Sequence, residues 1–242
     1  RVIFIARSIT LDNSFKSNST SSPPAMRSQV KETDHISELQ IIDAVVTRGD
    51  TALFDPISFR CLSGQIIHLV GENGVGKTTL MRSICGFRSI SSGQVLWNGT
   101  SIYGNDGFYL NSAYLGHRDA HSPLQSAWES LHFYQRLYNP AADPKEIDPL
   151  LNQLGLLAQA DVAVEHLSFG QKRKLAIARL LLSERQLWLL DEPFSGVDRA
   201  GQKLIESICL QHILSNGMML ITNHGSLKNT ALLDGITEVE LR

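Results

Sequence analysis

A glycine-rich stretch in the first third of the chain has the residue types and the spacing of a phosphate-binding loop. Residues 71–79 read Gly-Glu-Asn-Gly-Val-Gly-Lys-Thr-Thr, which matches the pattern G-x-x-x-x-G-K-[ST]. Glycines let the backbone curl so that successive N–H groups point into one concavity, and a helix beginning there adds partial positive charge. Lys77 is expected to reach the terminal phosphates of a bound polyphosphate, and Thr78 to offer its hydroxyl to Mg²⁺. The predicted phosphate-contacting residues are Gly71, Glu72, Asn73, Gly74, Val75, Gly76, Lys77, Thr78 and Thr79.

Two adjacent carboxylates, Asp191 and Glu192, follow a run of four apolar residues at 187–190. The apolar run predicts a buried strand, and open α/β sheets bind ligands at the carboxyl ends of their strands. Asp191 suits Mg²⁺ held through water, and Glu192 suits activation of the water that attacks a terminal phosphate. An adjacent acidic pair is usually solvated surface. Its position after a buried strand, downstream of the glycine-rich loop, favours the catalytic interpretation.

Two short segments carry further candidate chemistry. Residues 167–171 read Leu-Ser-Phe-Gly-Gln and open a predicted helix, so Ser168 is also a good N-cap and capping alone would explain it. His224 ends a predicted strand, where an imidazole could hold a γ-phosphate and link it to Glu192. The combination with the loop and the acidic pair favours a functional role for both segments.

The elements that must position these residues alternate between strands and helices, as in an α/β fold. Strands are predicted at 39–46, 52–59, 65–70, 93–97, 186–190, 218–222 and 236–241, the first two as edge strands. Helices are predicted at 78–87, 171–183 and 202–215. Between about 120 and 170 the apolar residues recur at three- and four-residue intervals, which predicts a helical insertion.

The composition argues against several classes of protein. A chain of 242 residues with 43% hydrophobic and 19% charged residues has an ordinary globular composition. A net charge of −2 gives no global electrostatic case for binding nucleic acid. No apolar run approaches the roughly 20 residues of a membrane helix. The three cysteines (Cys61, Cys85 and Cys209) have neither disulfide-framework nor zinc-site spacing, which favours a reducing intracellular compartment.

Residues 1–36 differ from the rest of the sequence. They are rich in serine and poor in acids, and Pro23-Pro24 lies among them. Such a segment cannot bury enough apolar surface to order itself, and its charge pattern is also typical of an organellar transit peptide. We expect a disordered or targeting-like tail, or sequence upstream of a true start at Met26, followed by one domain over 37–242.

Together, in this order and at these spacings, the motifs resemble the nucleotide-binding subunit of ABC (ATP-binding cassette) transporters. The resemblance covers roughly residues 38–242. The matching segments are the Walker A loop at 71–78, Walker B with its catalytic glutamate at 187–192, the signature at 167–171, the D-loop at 195–198 and the switch histidine His224. The signature makes the resemblance specific, because other phosphate-loop enzymes lack it.

The resemblance implies a fold, a reaction and a division of roles. The fold would be a P-loop NTPase cassette of the ABC type: a mostly parallel sheet, an antiparallel edge sheet and a helical insertion subdomain. The cofactors would be ATP and Mg²⁺, with Thr78 and Asp191 serving the metal and with Glu192 and His224 catalytic. The residues implied to contact nucleotide bound on a second copy are Ser168, Phe169, Gly170, Gln171 and Asp198.

The sequence departs from the family pattern at three places. Phe169 stands where the family usually has glycine in the signature. No aromatic residue stands near Arg48-Gly49, where the adenine base usually stacks, so the mode of base binding stays open. His117 replaces the usual glutamine of the Q-loop, where it could still contact a water or the metal at the ATP site, and its titration near neutral pH could make coupling pH-dependent.

The Gly116-His117 pair narrows the resemblance to the haem-exporter ATP-binding subunits of cytochrome c maturation. This implies a homodimer of cassettes, an integral membrane channel subunit (CcmB-like) and haem-handling proteins as partners, with no nucleic acid. It also implies a peripheral position on the cytoplasmic face of a bacterial inner membrane, or on the matrix side of an organellar inner membrane. An ABC subunit for another substrate, and a soluble ABC ATPase of an iron–sulfur assembly scaffold, remain as alternatives.

Overall fold

Five strands, each rich in aliphatic residues, form a parallel sheet that carries the predicted phosphate-binding and acidic motifs at one edge. The computed structural model describes residues 36–116, 120–223 and 236–242. In chain order the strands are β5 (Ile66–Val70), β8 (Ser112–Leu115), β9 (Leu187–Asp191), β10 (Met218–Thr222) and β11 (Ile236–Glu240). Their spatial order is β11-β5-β10-β9-β8, and each neighbouring pair is parallel. Every residue of β9 and β10 is buried, as expected for strands covered on both faces.

A second, antiparallel sheet is built mainly from the first third of the chain. Its strands are β1 (Glu38–Val45), β4 (Ile57–Leu62), β6 (Ser92–Trp97) and β7 (Thr100–Ser101), in the order β4-β1-β6-β7. β1 therefore lies between two partners, so the prediction that it is an edge strand was wrong. Two short strands, β2 (Thr47–Arg48) and β3 (Thr51–Ala52), form a separate hairpin.

The described residues form six α-helices. They are α1 (Lys77–Ile84), α2 (Asp106–Asn111), α3 (Ala127–Tyr138), α4 (Ile147–Gln153), α5 (Phe169–Ser183) and α6 (Arg199–Leu214). α1 ends three residues before the predicted Phe87, because Gly86 adopts a left-handed conformation with φ 76°. The Gly86 and Phe87 N–H groups then donate to the carbonyls of Ser83 and Arg82, which satisfies the end of the helix.

The insertion between β8 and α5 is helical, as the apolar spacing predicted. It contains α3 and α4 and three short 3-10 turns at Pro144–Glu146, Leu157–Gln159 and Val164–His166. α3 begins with a reciprocal capping box between Ser126 and Glu129. In the part of the chain that the structure describes, no helix is both long and apolar enough to cross a bilayer.

Two apolar clusters hold the layers together on opposite faces of the parallel sheet. Strand alternation separates them: Leu187 and Leu189 pack toward α1 and the antiparallel sheet, while Trp188 and Leu190 pack toward α5, α6 and the insertion. Apolar side chains thus cover both faces of the parallel sheet. Its buried polar residues are His68 in β5 and, where β9 and β10 end, Asp191 and Thr222.

Candidate nucleotide-binding and hydrolysis site

The glycines of the loop at 71–76 are required by close backbone packing as well as by conformation. Gly71 and Gly76 have φ values of 144° and 120°. A Cβ on Gly71 would lie 2.7 Å from the carbonyl oxygen of Leu241, and one on Gly76 would lie 3.0 Å from the Phe54 ring. Only glycine fits both positions. The buried ring of Phe54 and Leu241, which directly follows β11, therefore pack against the loop.

Lys77 is the first residue of α1, and its side chain folds back over the loop. Its Nζ donates to the carbonyl oxygens of Gly71 at 2.6 Å and Glu72 at 3.0 Å. The first turn of α1 contains no acidic residue. A cation and the unpaired N–H groups of a helix N-terminus thus meet at one loop, which is the arrangement that favours a polyphosphate.

Asp191 is the buried centre of a polar cluster at the carboxyl edge of the sheet. It is only 3% exposed. Its Oδ1 accepts hydrogen bonds from the hydroxyls of Thr78 at 3.1 Å and Thr222 at 2.8 Å, and its Oδ2 accepts one from Tyr114 at 3.3 Å. The structure thus brings together the two residues predicted to serve a metal, Thr78 and Asp191. Burial, and then the charge of Asp191, raise the pKa of Tyr114 to about 12, so the phenol remains a donor at neutral pH.

The donor set at this cluster fits Mg²⁺. Hydroxyl and carboxylate oxygens are the hard ligands that this ion takes, and Mg²⁺ is commonly held by one or two protein groups together with phosphate oxygens and water. Thr78 directly follows Lys77 in α1, so its hydroxyl and the Asp191 carboxylate that it bonds lie next to the phosphate loop.

Glu192 follows directly and has an unusual backbone conformation. Its φ is 52°, in the left-handed region, which costs a residue with a Cβ roughly 1 kcal/mol. Its N–H donates to both the carbonyl (3.2 Å) and the hydroxyl (3.1 Å) of Thr222. Its carbonyl accepts from Arg173 at 2.7 Å. The backbone is held on both sides, while the side chain is only partly buried.

The signature segment lies at the N-terminus of α5, with Ser168 and Phe169 exposed and Leu167 buried. The Ser168 hydroxyl accepts from the Gln171 N–H at 3.2 Å, and the Ser168 N–H donates to the Gln171 side chain at 2.8 Å, which forms a capping box. Capping is therefore a real role of Ser168, as expected. A hydroxyl that accepts one bond can still donate another to a ligand. Asp198 caps α6 in the same way, accepting from the Gly201 N–H at 2.8 Å.

Phe169 contacts the loop that leads to α6. Its side chain is 46% exposed, and a Cβ built on Gly196 would lie 2.2 Å from its ring. Gly196 has a φ of 68° and Gly170 approaches its carbonyl. The aromatic residue that departs from the family pattern thus covers a glycine of the D-loop segment.

Two predicted site residues, His117 and His224, lie outside the described residues. Arg48 and Gly49 lie at the turn of the β2–β3 hairpin. The mode of adenine binding stays open. The predicted tail at 1–36 also lies outside the described residues except for Ile36.

Sequence reasoning missed three residues of the site. Thr222 and Tyr114 bond Asp191, and Arg173 bonds the backbone around Glu192. Thr222 and Tyr114 each lie in a strand and have no local pattern to mark them. Arg173 did carry a signal, because a charged residue shares a helix face with Ala176, Ile177 and Leu180.

The chain is similar in sequence to a known protein family and to several named proteins. Residues 54–195 match the ABC transporter family. The cytochrome c biogenesis ATP-binding export protein CcmA of Mannheimia succiniciproducens is 35% identical over 198 residues, which is 81% of this chain and 92% of that protein. The protein of the same name from Histophilus somni is 36% identical over 197 residues, 81% of this chain and 91% of that one.

The architecture also has solved counterparts. An ABC transporter ATP-binding protein from Pyrococcus furiosus aligns with a TM-score of 0.72 at 22% identity, covering 83% of this chain and 96% of its own. At that identity the likeness concerns the fold. It supports the interpretation of the two sheets and the helical insertion as one ATP-binding cassette.

Proposed function

The chain belongs to the ABC transporter family of ATP-binding proteins, and from that premise we propose that it hydrolyses ATP to drive an export step in cytochrome c biogenesis. The observation that carries the proposal is the cluster at the end of β9. Asp191 bonds Thr78 beside the phosphate loop, and Glu192 follows it with its backbone held by Thr222. The names of its relatives supply the export step.

Each group of the site has a chemical task in this proposal. The loop N–H groups and Lys77 hold and orient the β- and γ-phosphates. Thr78 and Asp191 would hold Mg²⁺, which supplies positive charge against the phosphate oxygens. Glu192 accepts a proton from the attacking water or orients it for in-line attack. Thr222 fixes the Asp191 carboxylate relative to the Glu192 backbone, because its hydroxyl bonds both.

The working unit in this proposal is a homodimer. Ser168 and Asp198 are exposed and bond residues of their own helices, so both are accessible to a second molecule. α5 is capped by the neutral Ser168 and has no acidic residue in its first turn, which suits contact with phosphate. ATP bound on one phosphate loop would be closed over by the serine-capped helix of a second copy.

The membrane partner and the cargo follow from the relatives rather than from the site. We propose an integral membrane channel subunit of the CcmB type, haem-handling partner proteins, and a peripheral position on the cytoplasmic face of a bacterial inner membrane. The matrix side of an organellar inner membrane is the alternative location. Haem is the proposed cargo.

The role of Glu192 is tested by Glu192→Gln. We expect turnover to fall by about two to three orders of magnitude while ATP binding persists and dimers accumulate with ATP, since the change removes a proton acceptor without touching the phosphate loop. Steady-state ATPase assays and light scattering with ATP measure the two effects. Retained turnover would reject the assignment of Glu192.

The shared site is tested by mixing two inactive variants, Lys77→Ala and Ser168→Arg. In a mixed dimer, one site combines both changes and the other combines two intact parts. If ATPase activity recovers on mixing, each site is shared between two copies. If the mixture is no more active than the separate variants, the shared site is contradicted.

The cargo is tested by co-purification from a native membrane. A multispan channel subunit together with haem-binding proteins would support the export proposal. A soluble iron–sulfur scaffold in their place would redirect it to cofactor assembly, and a transporter of another substrate would leave the ATPase but replace the cargo.

A further inference from the structure

Arg173 is a fully buried charge in the second turn of α5, the helix that begins at the signature. It is 3% exposed. It donates Nη1 to the carbonyl of Gly116 at 2.7 Å, Nη2 to those of Asp191 and Glu192 at 2.7 Å each, and Nε to that of Pro193 at 3.2 Å. One guanidinium therefore joins three segments of the chain.

These acceptors are main-chain carbonyls. A buried charge costs several kcal/mol unless its donors are satisfied, and Arg has five N–H donors in a fixed plane that can serve several acceptors at once. Three consecutive carbonyls, from Asp191 to Pro193, converge on that plane. Such convergence needs a turned backbone, and Glu192 supplies the turn through its φ of 52°.

We propose that Arg173 is a positioning residue for Glu192, which fixes the direction of its carboxylate through the backbone on both sides. The inference rests on the proposed role of Glu192 in ATP hydrolysis. The N–H of Glu192 is held by Thr222 and its carbonyl by Arg173, so the two contacts together fix the peptide planes that flank the side chain.

The same guanidinium connects this backbone to two other parts of the molecule. One is α5 itself, whose first turn carries Ser168. The other is Gly116, which directly follows β8. A displacement of either segment must move the carbonyls of Asp191 to Pro193 or break hydrogen bonds of a buried charge. Through Arg173, the rate of hydrolysis depends on the positions of α5 and of the end of β8.

The experiment compares two conservative variants of buried arginines on the same helix. Arg173→Lys keeps the charge but replaces the planar fork by a single ammonium that cannot reach all four carbonyls. We expect kcat for ATP to fall by about 10- to 100-fold, because a misplacement of about 1 Å costs that much, while KM and the affinity for ATP stay within about twofold. The effect is expected on kcat rather than on affinity because the four carbonyls given above, which accept from Arg173, lie outside the phosphate loop.

Arg179→Lys is the matched control. Arg179 is 8% exposed and donates to the backbone carbonyl of Tyr114 in β8 at 3.3 Å, rather than to the backbone at 191–193. We expect Arg179→Lys to lower thermal stability, because it also disturbs a buried charge. Its kcat should stay within about twofold of that of the wild type. Arg173→Gln, which keeps two N–H donors without a charge, repeats the test should Arg173→Lys fail to fold.

The outcomes separate this inference from the proposed function. If the wild type does not hydrolyse ATP, the proposed function fails. If the wild type hydrolyses ATP and Arg173→Lys keeps its kcat, only the positioning role fails. A parallel loss of ATP affinity and kcat would also overturn it, since that pattern indicates general disruption of the fold. A fall in kcat alone, absent in Arg179→Lys, supports it.

Discussion

The two ends of the candidate site are built in different ways. At the phosphate end, the buried carboxylate of Asp191 in β9 accepts hydrogen bonds from hydroxyls on three other elements, which are Thr78 of α1, Tyr114 of β8 and Thr222 of β10. At the signature end, Ser168 and Asp198 are exposed and bond within the helices that they cap. The phosphate end is organised by the fold of one chain, whereas the signature end presents polar groups outward. That difference is what a site completed by a second copy requires.

The largest expected effect comes from breaking the phosphate end at its cation. Lys77→Ala removes the ammonium that lies 2.6 Å from the Gly71 carbonyl inside the loop. We expect ATPase activity to fall by about 10²- to 10³-fold and nucleotide affinity to fall with it, because the charge opposite the phosphates is lost. Steady-state kinetics and equilibrium binding of a fluorescent ATP analogue measure both. Ser168→Ala, compared in parallel, should lower turnover with little change in nucleotide affinity of the isolated chain; equal losses of affinity would contradict the comparison.

The contact between Phe169 and Gly196 sharpens the description of the signature end. Gly196→Ala should lower the free energy of unfolding by about 2 kcal/mol, because the new Cβ meets the Phe169 ring and the φ of 68° disfavours it. In a Phe169→Ala background the same change should cost about 1 kcal/mol, the conformational part alone. Chemical denaturation of the four proteins measures the coupling. Strictly additive changes would show that the ring and the loop do not interact in solution.

Thr222 tests whether the phosphate end depends on residues beyond the sequence motifs. Thr222→Val keeps the shape but removes the hydroxyl that bonds the Asp191 carboxylate and accepts from the Glu192 N–H. We expect kcat to fall by about tenfold, since one buried hydrogen bond to a charged group contributes about 1.5 kcal/mol or more. Steady-state ATPase assays measure it. Thr222→Ser, which keeps the hydroxyl, is the control and should retain most of the activity.

The smallest expected effect is on stability and concerns His212, which lies outside the candidate site. It packs near the start of β9, whereas Asp191 is at the end of that strand. His212 stacks on Trp188 with ring centroids 3.8 Å apart, and burial lowers the pKa of His212 to about 4 despite hydrogen bonds to the carbonyls of Met218 and Gln186. The folded state therefore binds this proton less readily than the unfolded state, so its contribution to stability is present above about pH 6.5 and is lost as the pH falls toward 4.

His212 alone should account for a loss of about 0.8 kcal/mol in the free energy of unfolding between pH 7.5 and 6.0. His212→Gln should remove that part of the pH dependence, as measured by denaturant titration at the two pH values. If the variant and the wild type lose the same amount, the imidazole is not buried as described. Because His212 is remote from Asp191, the KM for ATP of the variant should stay unchanged.

The sequence predicted the parts of the molecule that have strong local patterns. The loop at 71–79, the apolar run before Asp191 and the long helices α5 and α6 were predicted from residue types at fixed spacing. α2 and β8 were missed, because segments of six and four residues are too short to show a period. Tyr114 and Thr222 were missed as site residues for a different reason. Their role comes from strand order, which brings β8 and β10 to either side of β9, and no local pattern records that order.

The left-handed backbone of Glu192 has a consequence for engineering. Asparagine and glycine adopt that conformation more readily than glutamate, so replacement of Glu192 by either removes strain at the same time as it removes the carboxylate. Selection for thermostability alone would therefore tend to discard the carboxylate to which we assign activation of the attacking water. At this position, a substitution that raises stability is expected to lower activity. A library screened only for heat resistance should therefore return proteins that fold and bind nucleotide but do not hydrolyse it.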